Sequence, residues 1–335
     1  MSAVIPSHRP TTRRALLRAL AAGGAVAVLA GCDETERRPP APTSTVVPDD
    51  PETWPADSDL LLAARQRVHE ALIELPHVQG GRNRVARIQS LWTVQLERLE
   101  QVLSLSGVPL PALSGTSASS DDAAATTSPS DDATATTAPP AREIDQIDLG
   151  RLLRAALPET IADLADATPT NLPMLTSLAA QHADAATQFG ASPAWEPLVG
   201  PEGAAAVPLL AVTRPAIFGL EVVAARSRED ERAEYELVLD QIRSITRQLT
   251  TLAGDTAPVP PLGYDLPEPL ETEGQRRSLA RALVADIAPA ALGATKRVRG
   301  NTDQLAGVVR VMAESVLWAR TLGSEEAPFP GMTLP

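Results

Sequence analysis

The tightest constraint on the fold is a spacing. Between Arg228 and Ala253, the residues Val238, Ile242, Ile245, Leu249 and Leu252 recur at intervals of four and three, with polar residues between them. That interval lays one apolar stripe along an α-helix, the seam by which helices join bundles. The same period returns elsewhere. Leu61, Ala64, Val68, Leu72 and Leu75 form a stripe after Asp57, and Val85, Ile88, Trp92, Leu96, Leu99 and Leu103 form another between Asn83 and Leu105. Pro76 and Gly80-Gly81 separate these two, and Gly107 and Pro109 stop the second, so an antiparallel hairpin is expected over 56–112. A second helical pair is expected over 144–200, running from Ile147 to Asp166 and from Leu172 to Phe189, with Trp195 in the loop that follows.

The last third of the chain reads as four more helices. Ala204 to Arg226 is apolar on most sides, so it predicts a buried helix, kinked at Pro215. Ser227 and Asp230 have the spacing of a capping box before the seam helix, which Gly254 ends. A proline-rich crossover, APVPPLGYDLPEP, leads to one helix from about Gly274 to Val298. Gly300 and Asn301 separate that helix from the last, Thr302 to Leu322, whose core face is Leu305, Val308, Met312, Val316 and Ala319. Aromatic residues make up only 3% of the chain. A core of Ala, Leu, Val and Ile suits packed helices better than a β-sandwich, so the expected class is all-α.

The first 31 residues hold Arg9, Arg13, Arg14 and Arg18, no acid, and an apolar run from about Ala19 to Ala30. This is the layout of an export signal, and the run is too short to span a bilayer. Leu29-Ala30-Gly31-Cys32 resembles a bacterial lipobox and contains the chain's only cysteine. The resemblance implies cleavage before Cys32 and a diacylglyceryl anchor on its thiol. Arg13 and Arg14, in TRRALLR, resemble a twin-arginine signal with Leu16 where phenylalanine is commoner; ordinary export remains the alternative. Residues 32–55 carry six prolines among charged residues and threonines, a composition that forms an extended tether rather than a core. Residues 113–143 are a second low-complexity stretch of Ser, Thr, Ala, Asp and Pro, read as a disordered linker with a span of about 30 Å. The sequence leaves open whether the 56–112 hairpin docks on the later helices or stands apart.

Loss of the four leading arginines takes the formal charge from −13 to about −17. Such a surface repels nucleic acid, which is excluded as a partner, and anionic headgroups. No nucleophile elbow, P-loop, dinucleotide-binding glycine motif or paired-histidine zinc motif occurs, so nothing assigns an enzyme activity or a cofactor. His69 and His77 flank the first hairpin turn without a third ligand, and His182 is read as a surface partner of Asp184. Lys296-Arg297-Val298-Arg299 is read as complementing a helix end.

Three stretches carry a family resemblance: AIFGLEVVAAR (Ala216 to Arg226), PPLGYDLPEPL (Pro260 to Leu270) and AESVLWARTLGSEEAPFPGM (Ala313 to Met332). They resemble the actinobacterial ferritin-like domain proteins of unknown function, several of which are lipoproteins. The resemblance implies a ferritin-like four-helix bundle over 201–335, preceded by the helical hairpins. Ferritin-like oxidases hold two irons with inward glutamates and Glu-x-x-His pairs. Segment 201–335 holds no histidine, and Thr213-Arg214-Pro215 stands where relatives carry an acid and a histidine. No metal is therefore expected. The residues to suspect, if one binds, are Glu221, Glu234 and Asp240, with Glu221 buried in its apolar run and paired with Arg214 as the plainer reading. The expected function is a non-enzymatic binding or scaffolding module, lipid-anchored through Cys32 at the outer face of the cytoplasmic membrane, with an envelope protein or lipid as partner. The alternatives are a divergent metal-binding ferritin-like protein and a carrier of a small apolar ligand.

Overall fold

The computed structural model describes residues 54–113, 144–266 and 269–333. The signal segment with Arg13, Arg14, Leu29, Ala30 and Gly31, the lipid-attachment residue Cys32, nearly all of the tether and the 114–143 linker lie outside the described residues.

Helical stripes decide the architecture. Helices α1 (Ser58–Glu74) and α2 (Arg82–Leu105) form the first hairpin, and α3 (Gln146–Asp166) and α4 (Leu172–Gln188) the second pair. Helices α5 (Val207–Arg226), α6 (Glu229–Ala253), α7 (Glu273–Ala285), α8 (Ile287–Val298) and α9 (Thr302–Thr321) follow. Among the described residues the sole strand pairing is a parallel clasp of β1 (Val78–Gln79) with β2 (Ile144–Asp145). The class is all-α. Val238, Ile242, Ile245 and Leu249 of the α6 seam are buried, as are Ile88, Trp92, Leu99 and Leu103 on α2.

One core runs from Leu61 to Phe329, so the hairpin is docked rather than separate. Helix α9 is central and packs on α3, α4, α6, α7 and α8, while α5 packs on α6, α7 and α8. Glycines allow two of the closest approaches. A Cβ on Gly307 of α9 would lie 2.0 Å from the carbonyl oxygen of Gly200, and one on Gly219 of α5 would lie 2.2 Å from a methyl of Leu283.

Several expectations change. The helix expected from Gly274 to Val298 is two, divided at Asp286, because Pro289 has no N–H to offer the carbonyl of Ala285. Helix α5 is buried along one face only, and α4 and α9 are the more enclosed helices. Its length and composition alone would let α5 cross a membrane, yet α6, α7 and α8 pack along its buried face. Helix α5 continues through Pro215; the carbonyl of Ala211 that this proline leaves without a helical donor sits on the exposed side. Ser227 does not cap α6: its hydroxyl donates back to the Val223 carbonyl. The capping box is Thr272 with Gln275, at the start of α7. Trp54, placed in the tether by composition, is half-buried against the core.

Candidate functional site

The three suspected carboxylates do not form a metal site. Glu221 is exposed, not buried, and its partner is Arg243 at 2.6 Å, not Arg214. Arg243 also holds Asp240, at 3.3 Å, and Asp240 is exposed. Glu234 lies apart from both and meets Arg277 through both oxygens, at 3.2 and 3.1 Å. Arg214 donates instead to the Pro258 carbonyl of the crossover, and neighbouring Thr213 is fully buried with a hydroxyl that has no partner among the described residues. Glu231, one turn from Glu234, is clamped by Arg276 at 2.9 and 2.7 Å. That hydrogen bonding holds its carboxyl below the usual range. Burial, and then the Glu231 charge, push Tyr235 up to about 12. The chain's single Glu-x-x-His spacing, Glu74 to His77, straddles Pro76 at the end of α1, outside the bundle. Among the described residues no group of three potential ligands comes together.

The structure instead draws attention to His182. Residues two apart on a helix point in nearly opposite directions, so His182 and Asp184 of α4 do not pair. Asp184 faces α9, where Arg320 meets it at 2.8 Å. His182 faces α1 and α3, and its ring lies 5.4 Å from that of Trp92.

A relay of hydrogen bonds fixes the His182 tautomer. The Trp92 indole can only donate, and it donates to Gln181 Oε1 at 2.8 Å. Gln95 Nε2 donates to that oxygen at 3.2 Å and to the Pro328 carbonyl at 2.6 Å. The Gln95 oxygen is therefore the atom that faces His182 Nε2, at 3.2 Å, and that nitrogen must carry the proton. Burial, and secondarily the Arg67 charge, lower the His182 pKa to about 4, so the ring is neutral at pH 7. Nδ1 is then an acceptor, and among the described residues no protein group donates a hydrogen bond to it.

His182 lines a groove of about 300 Å³ between α1 and α3. Leu149, Leu152, Leu153, Ala156 and Leu157 give it an apolar wall, and Arg67, Glu70 and Glu74 of α1 form a charged rim. Arg67 is engaged by Asp163 at 3.2 Å, and Glu70 by Gln66 at 2.8 Å. Ligand sites commonly combine an apolar wall with few fixed polar groups. The sequence held one usable signal. The small residues of α4, from Ser177 to Ala186, mark a helix enclosed on several sides, so its polar residues had to be internal.

The C-terminal segment after α9 holds the hairpin in place. Glu326 meets Arg87 of α2 at 3.4 Å and Arg320 of α9 at 3.3 Å. Phe329 is fully buried, and the Pro330 carbonyl accepts from Ser177 of α4 at 2.7 Å. With Asp184, this makes a cluster of two acids and two arginines whose charges balance. A second, more polar cleft of about 320 Å³ beside it is lined by Asp184, Trp195, Gln241, Arg310 and Glu314, among others. Its charged groups already have partners: Asp184 pairs with Arg320 and Arg310 with Glu314.

Comparison with family models, with curated proteins and with solved structures finds no match for this chain.

Proposed function

We propose that this chain is a lipid-anchored, extracytoplasmic binding module with no enzymatic activity. Cys32 carries the lipid, residues 33–53 tether the body at the outer face of the cytoplasmic membrane, and the body binds a small apolar ligand. The groove between α1 and α3 carries the binding reading: it is an apolar cleft with a neutral imidazole in its lining and charges confined to its rim.

The segment from α5 to α9 is read here as a ferritin-like bundle that has lost its metal site. The crossover between α6 and α7, within 257–272, supports that reading, as does the arginine set against each of Glu221, Glu234 and Asp240. An arginine at bonding distance occupies a carboxylate's lone pairs and repels a cation.

Fractionation tests the anchor. The parent chain is expected in the membrane pellet and the Cys32→Ser variant in the soluble fraction or unprocessed. A Cys32→Ser variant that still pellets with membranes would overturn it. Elemental analysis of the soluble variant, purified without chelators, is expected to find no stoichiometric iron, manganese or zinc; a stoichiometric metal would overturn the lost-site reading.

A further inference from the structure

The binding reading leaves the ligand unspecified, and the chemistry of the groove narrows it. The wall is leucine and alanine on α3, and Leu152, at its edge, is 58% exposed. Apolar surface of this kind is buried by ligand carbon. No piece of the chain outside the described residues between α2 and α3 can supply it. Segment 114–143 contains Ala and Pro but no larger apolar residue.

The polar groups select a head. Of the rim charges, Arg67 is already neutralised by Asp163, which leaves Glu70 and Glu74 as the excess. A carboxylate or phosphate head would meet those two acids with no free cation to offset them. Thr160 gives its hydroxyl proton to the Ala156 carbonyl, and the uncharged nitrogen acceptor in the lining that takes no bond from the protein is His182 Nδ1. With Nε2 committed to Gln95, Nδ1 can only accept, and an anionic head has no proton to offer it.

Resting on the binding reading above, we propose that this groove takes an uncharged amphiphile, its apolar body against Leu149, Leu152, Leu153 and Leu157 and its hydroxyl donating to His182 Nδ1. The site discriminates by hydrogen-bond polarity: an alcohol satisfies the imidazole, whereas the matching carboxylate leaves it without a donor beside two acids. An acceptor that a bound ligand covers without supplying a donor is disfavoured more strongly than the bond itself is favourable, so discrimination should exceed the effect of deleting the imidazole.

The test is titration calorimetry on the full mature chain carrying Cys32→Ser, with n-decanol and n-decanoate as probes, combined with nitrogen NMR of the His182 ring. Decanol is expected to bind at least tenfold more tightly than decanoate and to shift the Nδ1 resonance. Leu152→Arg and Ala156→Phe, both at the groove edge rather than in the core, should abolish binding. His182→Gln keeps a donor for Gln95 but carries its acceptor on the amide oxygen, displaced from the Nδ1 position, and should weaken decanol about fivefold while narrowing the difference between the probes. Equal affinity for the two probes, unchanged by His182→Gln, would overturn the hydroxyl assignment and leave the groove as an unselective apolar site. Binding of neither probe, or binding indifferent to Leu152→Arg and Ala156→Phe, would overturn the groove itself.

Discussion

His182 is where one residue's environment sets a measurable property of the whole molecule. Its pKa in the folded state is about 4, against 6.5 for the free side chain. Between those values the unfolded chain binds a proton that the folded chain does not. Stability therefore falls as pH drops from about 6.5 to about 4, and this contribution is flat outside that window. The groups facing the ring from α1 are Arg67, Glu70 and Glu74, with Asp163 behind Arg67. The size of the loss is about 3 kcal/mol, readable as a falling urea midpoint. His182→Gln should remove that slope. The remaining acid loss should then include Glu231: its hydrogen bonds to Arg276 hold the folded carboxyl below its unfolded value, so its contribution is lost as pH falls through the acid end of the carboxylate range. A midpoint that is flat from pH 6.5 to 4 in the parent chain would contradict the buried, neutral ring. The sequence misassigned this residue for a geometric reason. Adjacency in the string suggested a His–Asp pair, but two helical positions apart is about 200° around the axis. Glu221 failed in the opposite direction. Its apolar neighbours implied burial, but only one face of α5 is covered.

At the scale of elements, helix existence was legible and helix division was not. The stripes of α2, α6 and α9 rest on a period that local sequence carries by itself. The break at Asp286 depended on whether Pro289 would be tolerated inside a helix, as Pro215 is in α5, and tertiary packing decides that. The C-terminal segment was the other element hidden from a pattern search, since FPG carries no periodicity. Its role emerges from partners far away in the chain, Gln95, Ser177 and Arg87, together with nearby Arg320. Phe329→Ala should therefore cost about 3–5 kcal/mol, the range for deleting a fully buried ring, and calorimetry would show it as a lowered melting temperature. The same change should loosen the relay behind His182, because the Pro328 carbonyl is one of the two acceptors that orient Gln95. Gly307→Ala probes a different joint, where α9 meets the carbonyl of Gly200. The obstruction is backbone rather than a flexible side chain, so a loss of about 3 kcal/mol is expected. A Gly307→Ala protein of unchanged stability would mean that the two backbones are not in contact.

The whole molecule constrains its own linker. Residues 114–143 begin near Pro111, whose carbonyl accepts from Arg65, and Arg65 is paired with Glu100 on α2. They end at Ile144, paired with Val78 at the opposite end of the hairpin, just before α2 begins at Arg82. Arg82 and Glu100 are separated by about 27 Å of helix, so the chain must return roughly 25 Å along the hairpin. The span of about 30 Å expected from composition suits that distance, and composition by itself would make such a linker dispensable. The docked hairpin makes it dispensable only in part. With Ser114 to Pro140 deleted, the chain left between Pro111 and Ile144 reaches about 20 Å when fully extended, short of the gap. That deletion should open the β1–β2 clasp, release the bond from Gln146 to the Gln79 carbonyl and lower the melting temperature. It should also disturb the α1–α3 groove, because α3 would lose its anchored start. Shortening the segment to about 15 residues instead leaves ample reach, and helical content by circular dichroism and the melting temperature should match the parent chain. Full deletion with an unchanged melting temperature would mean that the clasp contributes nothing to holding α3 against the hairpin; loss of helix in the 15-residue variant would mean that the segment supplies contacts as well as length.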